Sequence, residues 1–275
     1  MRENYARGLL FFRFVCYNSG KFTLERGYDM KITFLGTSDG IPRPGHHCAC
    51  TLIEIGDAMY LIDAGAPVVD LLLARGRHPN QLKALFNTHG HGDHFDGLLN
   101  LLDLSNWAYK EASYDVLLPE KAIGDALVNV IEVASRREFA SDRMRISEFS
   151  AGVIFDDGTL RVTAIPTRHC EPKPSYAFLL EGDDRRVLMT GDLSQFLKKG
   201  DFPEIIANEE LDLVVCEMAH FGFEHIAPYL KDCRAKQVVF NHYQLRKERD
   251  IEQLKQCGGF AFPVIMAEDG LVLQP

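Results

Sequence analysis

The sequence predicts a single α/β sandwich, and three observations point there. Short β-branched and aliphatic runs bounded by Gly, Asp and Pro recur along the chain, helical stretches alternate with them, and the pattern occurs in two successive halves. At 275 residues the chain fits one large domain with a deep core. Hydrophobic residues make up 46% and charged residues 25%, which disfavours disorder, collagen-like repeats and coiled coil.

In chain order, Lys31–Leu35, Thr51–Ile55, Met59–Ile62 and Ala84–Thr88 read as strands. Val68–Leu73 reads as a helix between the third and the fourth. A longer helix over 122–137 is predicted from apolar residues at Ile123, Ala126, Leu127, Val130 and Ile131. The second half repeats the theme with strands at Leu160–Ile165, Tyr176–Leu180, Arg186–Met189, Leu211–Cys216 and Val238–Phe240, and a helix at Asp250–Gln256. Residues 1–29 hold Phe11, Phe12, Phe14 and Tyr17 without a sustained period. They are read as an extension ahead of a natural start at Met30, with a real edge strand as the alternative, and residues 30–275 as the domain.

Thirty Lys and Arg against 39 Asp and Glu give a net charge of −9, which argues against nucleic acid or an anionic membrane as partner. No apolar run approaches the ~18–20 residues that span a bilayer. Seven cysteines, an odd number in a chain too long to need stapling, point to a reduced, cytoplasmic compartment.

The string Thr88-His89-Gly90-His91-Gly92-Asp93-His94 follows a buried-looking strand. Any one of its histidines alone reads as structural, but three imidazoles and a carboxylate within six residues do not. The glycines let the backbone bend so that side chains converge, and His with Asp is a donor set suited to zinc, iron or manganese.

This segment resembles the HxHxDH motif of the metallo-β-lactamase superfamily, and the other four motifs of that family can be matched in order. Asp63 lies in Leu61-Ile62-Asp63-Ala64-Gly65, His169 in Thr167-Arg168-His169, Asp192 in Thr190-Gly191-Asp192 and His242 in Phe240-Asn241-His242. The resemblance covers about residues 30–270 and implies a four-layer αββα sandwich. It also implies two divalent ions, zinc first and manganese or iron as alternatives. His89, His91 and His169 would hold one ion, Asp93, His94 and His242 the other, with Asp192 between them and Asp63 behind the ligands. Two such ions, two carboxylates and a bridging hydroxide leave about one positive charge, which attracts an anionic ester despite the acidic chain.

Within the superfamily, Asp192 stands where the β-lactamases of this fold carry Cys. Phe34-Leu35-Gly36-Thr37-Ser38-Asp39-Gly40-Ile41-Pro42 resembles the opening loop of the tRNA 3′-processing ribonucleases and related phosphodiesterases, as does Asp96-Gly97-Leu98. The long tRNA-clamping arm of those ribonucleases is missing, since only 23 positions separate His169 from Asp192. Their His-Glu-Ala-Thr sequence is replaced by Cys216-Glu217-Met218-Ala219, with His220 and His225 nearby. These features imply hydrolysis of a small, cyclic or linear, phosphodiester through a bridging hydroxide. Asp93 would accept a proton, and His220 held by Glu217 would be the general acid, with His225 the next candidate. Thioester or lactone hydrolysis is the alternative, and a non-catalytic metal-binding module a third reading. The partner is a small anionic ester rather than a membrane or nucleic acid, and a homodimer is compatible with the sequence.

Other groups are given bland roles. His46, His47, Cys48 and Cys50 differ in spacing from the Cys-rich zinc loop of related phosphodiesterases, and are expected to rim the cleft. Cys170 and Cys216 read as buried small hydrophobes, Trp107 and Tyr109 as core, and Lys198 and Lys199 as a solvated turn.

Overall fold

The computed structural model describes residues 29–256 and 259–275. The expected 1–29 extension, apart from Asp29, lies outside the described residues. Met30 is buried, and its N–H donates to Asp183 at 2.8 Å.

The first half runs β1 (Lys31–Gly36), β2 (Cys50–Ile55), β3 (Ala58–Ile62), α1 (Val68–Leu73), β4 (Leu82–Phe86), α2 (Gly92–Trp107), β5 (Tyr114–Leu118), α3 (Lys121–Ser135) and β6 (Met144–Glu148). The second runs β7 (Gly152–Asp156), β8 (Arg161–Pro166), β9 (Tyr176–Gly182), β10 (Arg185–Met189), α4 (Ile205–Asn208), β11 (Leu213–Met218), α5 (Phe223–Lys231), β12 (Val238–Tyr243), α6 (Glu248–Gln256), β13 (Val264–Met266) and β14 (Val272–Leu273).

The two seven-stranded sheets run in the orders β14-β1-β2-β3-β4-β5-β6 and β13-β12-β11-β10-β9-β8-β7, so the first half supplies six strands of the first sheet and the last strand of the second half, β14, completes it beside β1. Both sheets carry antiparallel pairs at one end and three parallel pairs at the other. The parallel strands β11 and β12 are buried along their whole length, as strands covered on both faces must be. Three apolar layers follow. Ile32, Phe34, Ile62, Phe86, Phe178 and Val215 pack between the sheets; Leu61, Leu85, Leu98, Leu101, Val116 and Ile131 lie under α1–α3; Leu188, Val214, Ile226, Leu230, Phe240 and Ile251 lie under α4–α6. This is the four-layer αββα sandwich that the motifs imply.

The predicted elements stand within a few residues of their expected places, with instructive exceptions. The strand expected to run to Thr88 ends at Phe86, because Thr88 turns its N–H to the Asp63 carboxylate. The segment 105–150 holds β5, β6 and α3, of which only α3 shows a period. On α3 the buried positions are Gly124, Leu127 and Ile131, while Val130 faces out. Trp107, expected in the core, is 46% exposed at the end of α2, where the last turn leaves the sheet; Tyr109 is half-buried and stacks edge-on with His78.

Candidate metal centre

One end of the sandwich collects the motif residues because each motif closes a strand. β3 ends at Ile62, and Asp63 follows with φ +59°, a left-handed conformation that Asp tolerates better than most residues. Its carboxylate accepts from the Thr88 N–H (2.7 Å), the Asn87 amide (3.0 Å) and His94 Nδ1 (2.8 Å). His91 occupies the N-cap of α2, which places Asp93 and His94 in the first turn, where the helix dipole favours a carboxylate. Gly97 lets α2 press onto the Asp63 loop: a Cβ there would stand 2.7 Å from the Ala64 carbonyl oxygen and 2.9 Å from that of Gly65.

The second sheet delivers its residues singly. His169 follows β8 and Asp192 follows β10. Gly191 before Asp192 has φ +56°, and a Cβ there would lie 2.7 Å from the Tyr176 carbonyl oxygen, so only glycine fits without strain. His242 is the extra residue of a bulge in β12: Asn241 pairs with Glu217 and Tyr243 with Met218, leaving His242 unpaired at φ +46°. The bulge aims its ring at the centre.

Asp192, 3% exposed, stands in the middle. Its oxygens lie 3.8 Å from His89 Nε2, 3.5 Å from His94 Nε2, 3.6 Å from His169 Nε2 and 3.3 Å from His242 Nε2. Asp93 sits 3.3 Å from His94 Nε2 and 3.7 Å from His242 Nε2. His91 Nδ1 is 3.1 Å from His169 Nε2. Potential donor atoms therefore gather as His89, His91 and His169 with Cys170; as His89, His94 and Asp192; as Asp93, His94 and His242; and as His169, Asp192 and His220.

The imidazoles are oriented from behind. His89 Nδ1 meets the Thr88 hydroxyl at 3.1 Å, His94 Nδ1 meets Asp63, and His169 Nδ1 donates to the Leu193 carbonyl at 3.0 Å. With one nitrogen engaged, the other points inward. His89 Nε2, His94 Nε2 and Asp192 Oδ1 are buried without a hydrogen-bond partner. Buried polar atoms are seldom left so, and an inward ring of imidazole nitrogens and carboxylates fits a divalent cation.

The electrostatics agree. Burial holds the His89 pKa well below the ordinary histidine value, so the ring is a neutral donor. Burial pulls His94 and His242 down as well, but Asp63 and Asp192 acting on His94, and Asp192 on His242, outweigh it and raise both. Burial raises Asp192, yet His242 and His94 hold it far below the usual carboxylate range. A divalent ion would replace the protons that balance this carboxylate.

Beside the centre opens a cleft of about 680 Å³ lined by His169, Phe196, His220, His225, Arg246 and Lys247 among others. His220 lies at its inner wall. Its Nδ1 bonds Glu217 Oε1 at 2.9 Å and stands 3.8 Å from Asp192. Burial lowers the His220 pKa, but the Glu217 hydrogen bond and charge push it up to about 9. Glu217, 3% exposed, also accepts from the Leu193, Ala219 and His220 N–H groups, so it fixes the loop after Asp192 and the His220 ring together. His225 Nδ1 accepts from the Gly222 N–H at 3.3 Å on the outer rim, close to the exposed Glu224 carboxylate. The Gly40 loop reaches the centre, its Cβ position being 3.2 Å from Asp93 Oδ2.

The metallo-β-lactamase-superfamily motif residues thus converge. The family model described as "Anti-Pycsar protein Apyc1" matches residues 30–262. The chain belongs to that family. It is 28% identical over 186 residues to ribonuclease BN of Cronobacter sakazakii, covering 62% of this chain and 60% of that protein. It is 30% identical over 163 residues to ribonuclease BN of Escherichia coli, covering 57% and 51%. The chain thus matches only about half to three-fifths of the length of these curated relatives. Among solved structures, the metallo-β-lactamase fold protein YhfI of Bacillus subtilis superposes with a TM-score of 0.70 at 19% identity, covering 89% of this chain and 99% of that one. The short form of human tRNase Z superposes at 0.69 with 22% identity, covering 90% and 100%. These structures establish the metallo-β-lactamase fold.

Several expectations are corrected or extended by the geometry. Cys170 is half-buried with its Sγ 3.9 Å from His91 Nε2, not a core hydrophobe, because the turn after His169 leaves the sheet. Cys216 is fully buried. Among the described residues His46, His47, Cys48 and Cys50 form no common donor group; His47 and Thr37 bond the Asp269 carboxylate, and His46 bonds Thr37. Asp201 is absent from the sequence reading. It accepts from the Arg168 N–H at 2.6 Å and the Ser194 N–H at 2.5 Å, tying the His169 loop to the Asp192 loop. A lone Asp in a Gly-Asp-Phe-Pro turn carries no signal of that bridge. Among the described residues no helix is long and apolar enough to cross a membrane.

Proposed function

We propose that this chain is a metal-dependent hydrolase that cleaves a small phosphodiester, cyclic substrates included, at a dinuclear centre of zinc ions. The observation that carries the reading is the ring of inward imidazole nitrogens and carboxylates around Asp192, several of them buried and unpartnered. His89, His91 and His169 would hold one ion, Asp93, His94 and His242 the other, with Asp192 shared. When bound, such ions supply Lewis-acid neutralisation of phosphoryl charge and an activated water.

The chain's own residues do the rest. Asp63 fixes His94, and with it the first turn of α2. Asp93, which stands 3.3 Å from His94 Nε2 and 3.7 Å from His242 Nε2, accepts the proton of the attacking water. His220 keeps Nδ1 on Glu217 and presents Nε2 to the cleft, where it donates a proton to the departing alkoxide. Arg246 and Lys247 give the cleft positive charge for an anionic ester in an acidic protein. The relatives named as ribonuclease BN, tRNase Z and a PhnP-family diphosphatase support phosphate-ester chemistry over thioester or lactone cleavage.

The test is metal analysis of the purified chain followed by a panel of phosphodiesters, phosphomonoesters, thioesters and lactones. About two ions per chain and turnover confined to phosphodiesters are expected. His220→Gln should then lower kcat/KM on alkyl phosphodiesters by about 10²–10⁴-fold, with a smaller loss on nitrophenyl esters whose leaving group needs no proton. Equal losses on both would remove His220 from the acid role, and turnover confined to thioesters would overturn the substrate class.

A further inference from the structure

Phe196 is a large aromatic side chain that the proposed reaction leaves unused. It is 63% exposed, and among the described residues Trp107 is the other exposed aromatic. The Trp107 indole N–H is engaged by Asp103 at 3.3 Å at the end of α2, whereas Phe196 lines the cleft beside the metal centre. The backbone that carries it is strained. Phe196 has φ +61° and Leu197 φ +49°, a left-handed region that bulky residues rarely enter. The turn is nevertheless firmly tied: the Phe196 N–H donates to the His220 carbonyl at 3.1 Å, the Leu197 N–H to the Ser194 carbonyl at 2.8 Å, and the Ser194 N–H to Asp201 at 2.5 Å. Leu197 is buried in the layer under α4–α6, so the two left-handed residues anchor one side chain and lift the next ring into the open. Strain held by its surroundings beside a reactive centre points to a functional position. A second ring stands next to it, since His225 lies 5.7 Å away between centroids at a tilt of 37°.

We propose that Phe196, flanked by His225, is the platform on which the substrate's organic arm stacks, and that the phosphodiester taken by this cleft carries a planar aromatic ring. The inference rests on the phosphodiesterase reading above and deepens it by naming a specificity-determining residue. A flat ring gains offset stacking on an aromatic face beyond the area it buries, and a saturated ring of similar size does not. Stacking on one exposed face tolerates many rings, so the cleft selects flatness rather than one particular ring. Arg246 and Lys247 in the same cleft suit the anionic group to which the ring is attached. The hydrogen bond from Phe196 to the His220 carbonyl ties the platform to the residue that protonates the leaving group, so a stacked ring is held in register with it.

Binding of phenylphosphonate and cyclohexylphosphonate to the zinc-loaded full-length protein tests this without reference to turnover. The two probes share one charged group and differ in whether the ring is flat. By ligand-observed NMR titration, wild type should bind the phenyl compound at least about threefold more tightly. Phe196→Leu, which keeps an apolar side chain without a ring face, should remove that preference, and Phe196→Tyr should retain it. Phe196→Gly should weaken phenylphosphonate by about tenfold while the thermal midpoint stays at or above that of wild type, because glycine adopts the left-handed backbone without strain. Equal binding of the two probes by wild type, a preference that survives in Phe196→Leu, or a midpoint several degrees lower in Phe196→Gly would each overturn the platform and leave the phosphodiester reading in place. Binding of neither phosphonate by the zinc-loaded wild type would overturn both.

Discussion

The first sheet delivers His89, His91, Asp93 and His94 from one six-residue stretch, whereas the second delivers His169, Asp192, His220 and His242 from four different strand ends. The two groups are held differently. In the first, one turn of helix and one buried carboxylate, Asp63, set the geometry, so the donors move as a unit. In the second, each donor depends on its own device: the Gly191 turn for Asp192, a bulge for His242, the Leu193 carbonyl for His169 and Glu217 for His220. A compact cluster on a helix N-terminus is easy to recognise and fails all at once. A dispersed set is hard to recognise and fails one member at a time.

The largest effect should come from the residue that joins the two groups. Asp192→Ala removes the carboxylate facing five imidazoles and should lower turnover by about 10³-fold or more while reducing bound metal, checked by steady-state kinetics and metal analysis. A variant that kept its metal and its activity would show that the halves act separately. Next, Gly97→Ala should push α2 off the Ala64–Gly65 loop and displace the first group as a unit. A shift approaching an ångström should cost about 10²-fold in kcat with the thermal midpoint changed far less. Retained activity would mean that the helix absorbs the added methyl without moving His94.

Asp63→Asn sharpens the contrast further, because Asn tolerates the left-handed backbone but presents a weaker acceptor to His94. Metal affinity should fall about 10–100-fold, measured by chelator competition, while the circular dichroism spectrum stays that of the wild type. The smallest effect lies far from the centre. Asp212 accepts from Lys236 at 2.7 Å and from the Arg186 N–H at 2.9 Å; burial raises its pKa, and these partners outweigh burial and depress it. A depressed folded value means stability present above the ordinary carboxylate range and lost as pH falls below about 4 toward the folded value. Asp212→Asn should lower the thermal midpoint at pH 7 by roughly 2–4 °C and flatten its decline at acid pH, with turnover unchanged.

The same difference between the halves explains what was legible beforehand. His89 to His94 announce themselves, since imidazoles and a carboxylate at that spacing have no plausible joint role in a core. His169, Asp192 and His242 acquire meaning only through their order relative to the cluster, as each alone is an ordinary residue at a strand end. Strands β5 and β6 escaped the pattern because β5 is buried nearly throughout and β6 is mostly exposed, so neither alternates cleanly. Asp201 escaped because its two acceptor bonds join loops that are distant in sequence. Cys170 is half-buried rather than a core residue; a cysteine beside a motif histidine looks like any small apolar residue until the turn's direction is known.

By itself the sequence determined an α/β class of strands alternating with helices, and its resemblance to the superfamily motifs implied the αββα layers and the candidate donors, because periodicity and motif spacing are local properties of the chain. Only the tertiary structure decided which nitrogen of each ring points inward, that Glu217 holds His220 beside Asp192, and that a thiol stands next to His91. Those outcomes depend on hydrogen bonds between strand ends up to 79 residues apart, and no local pattern encodes them.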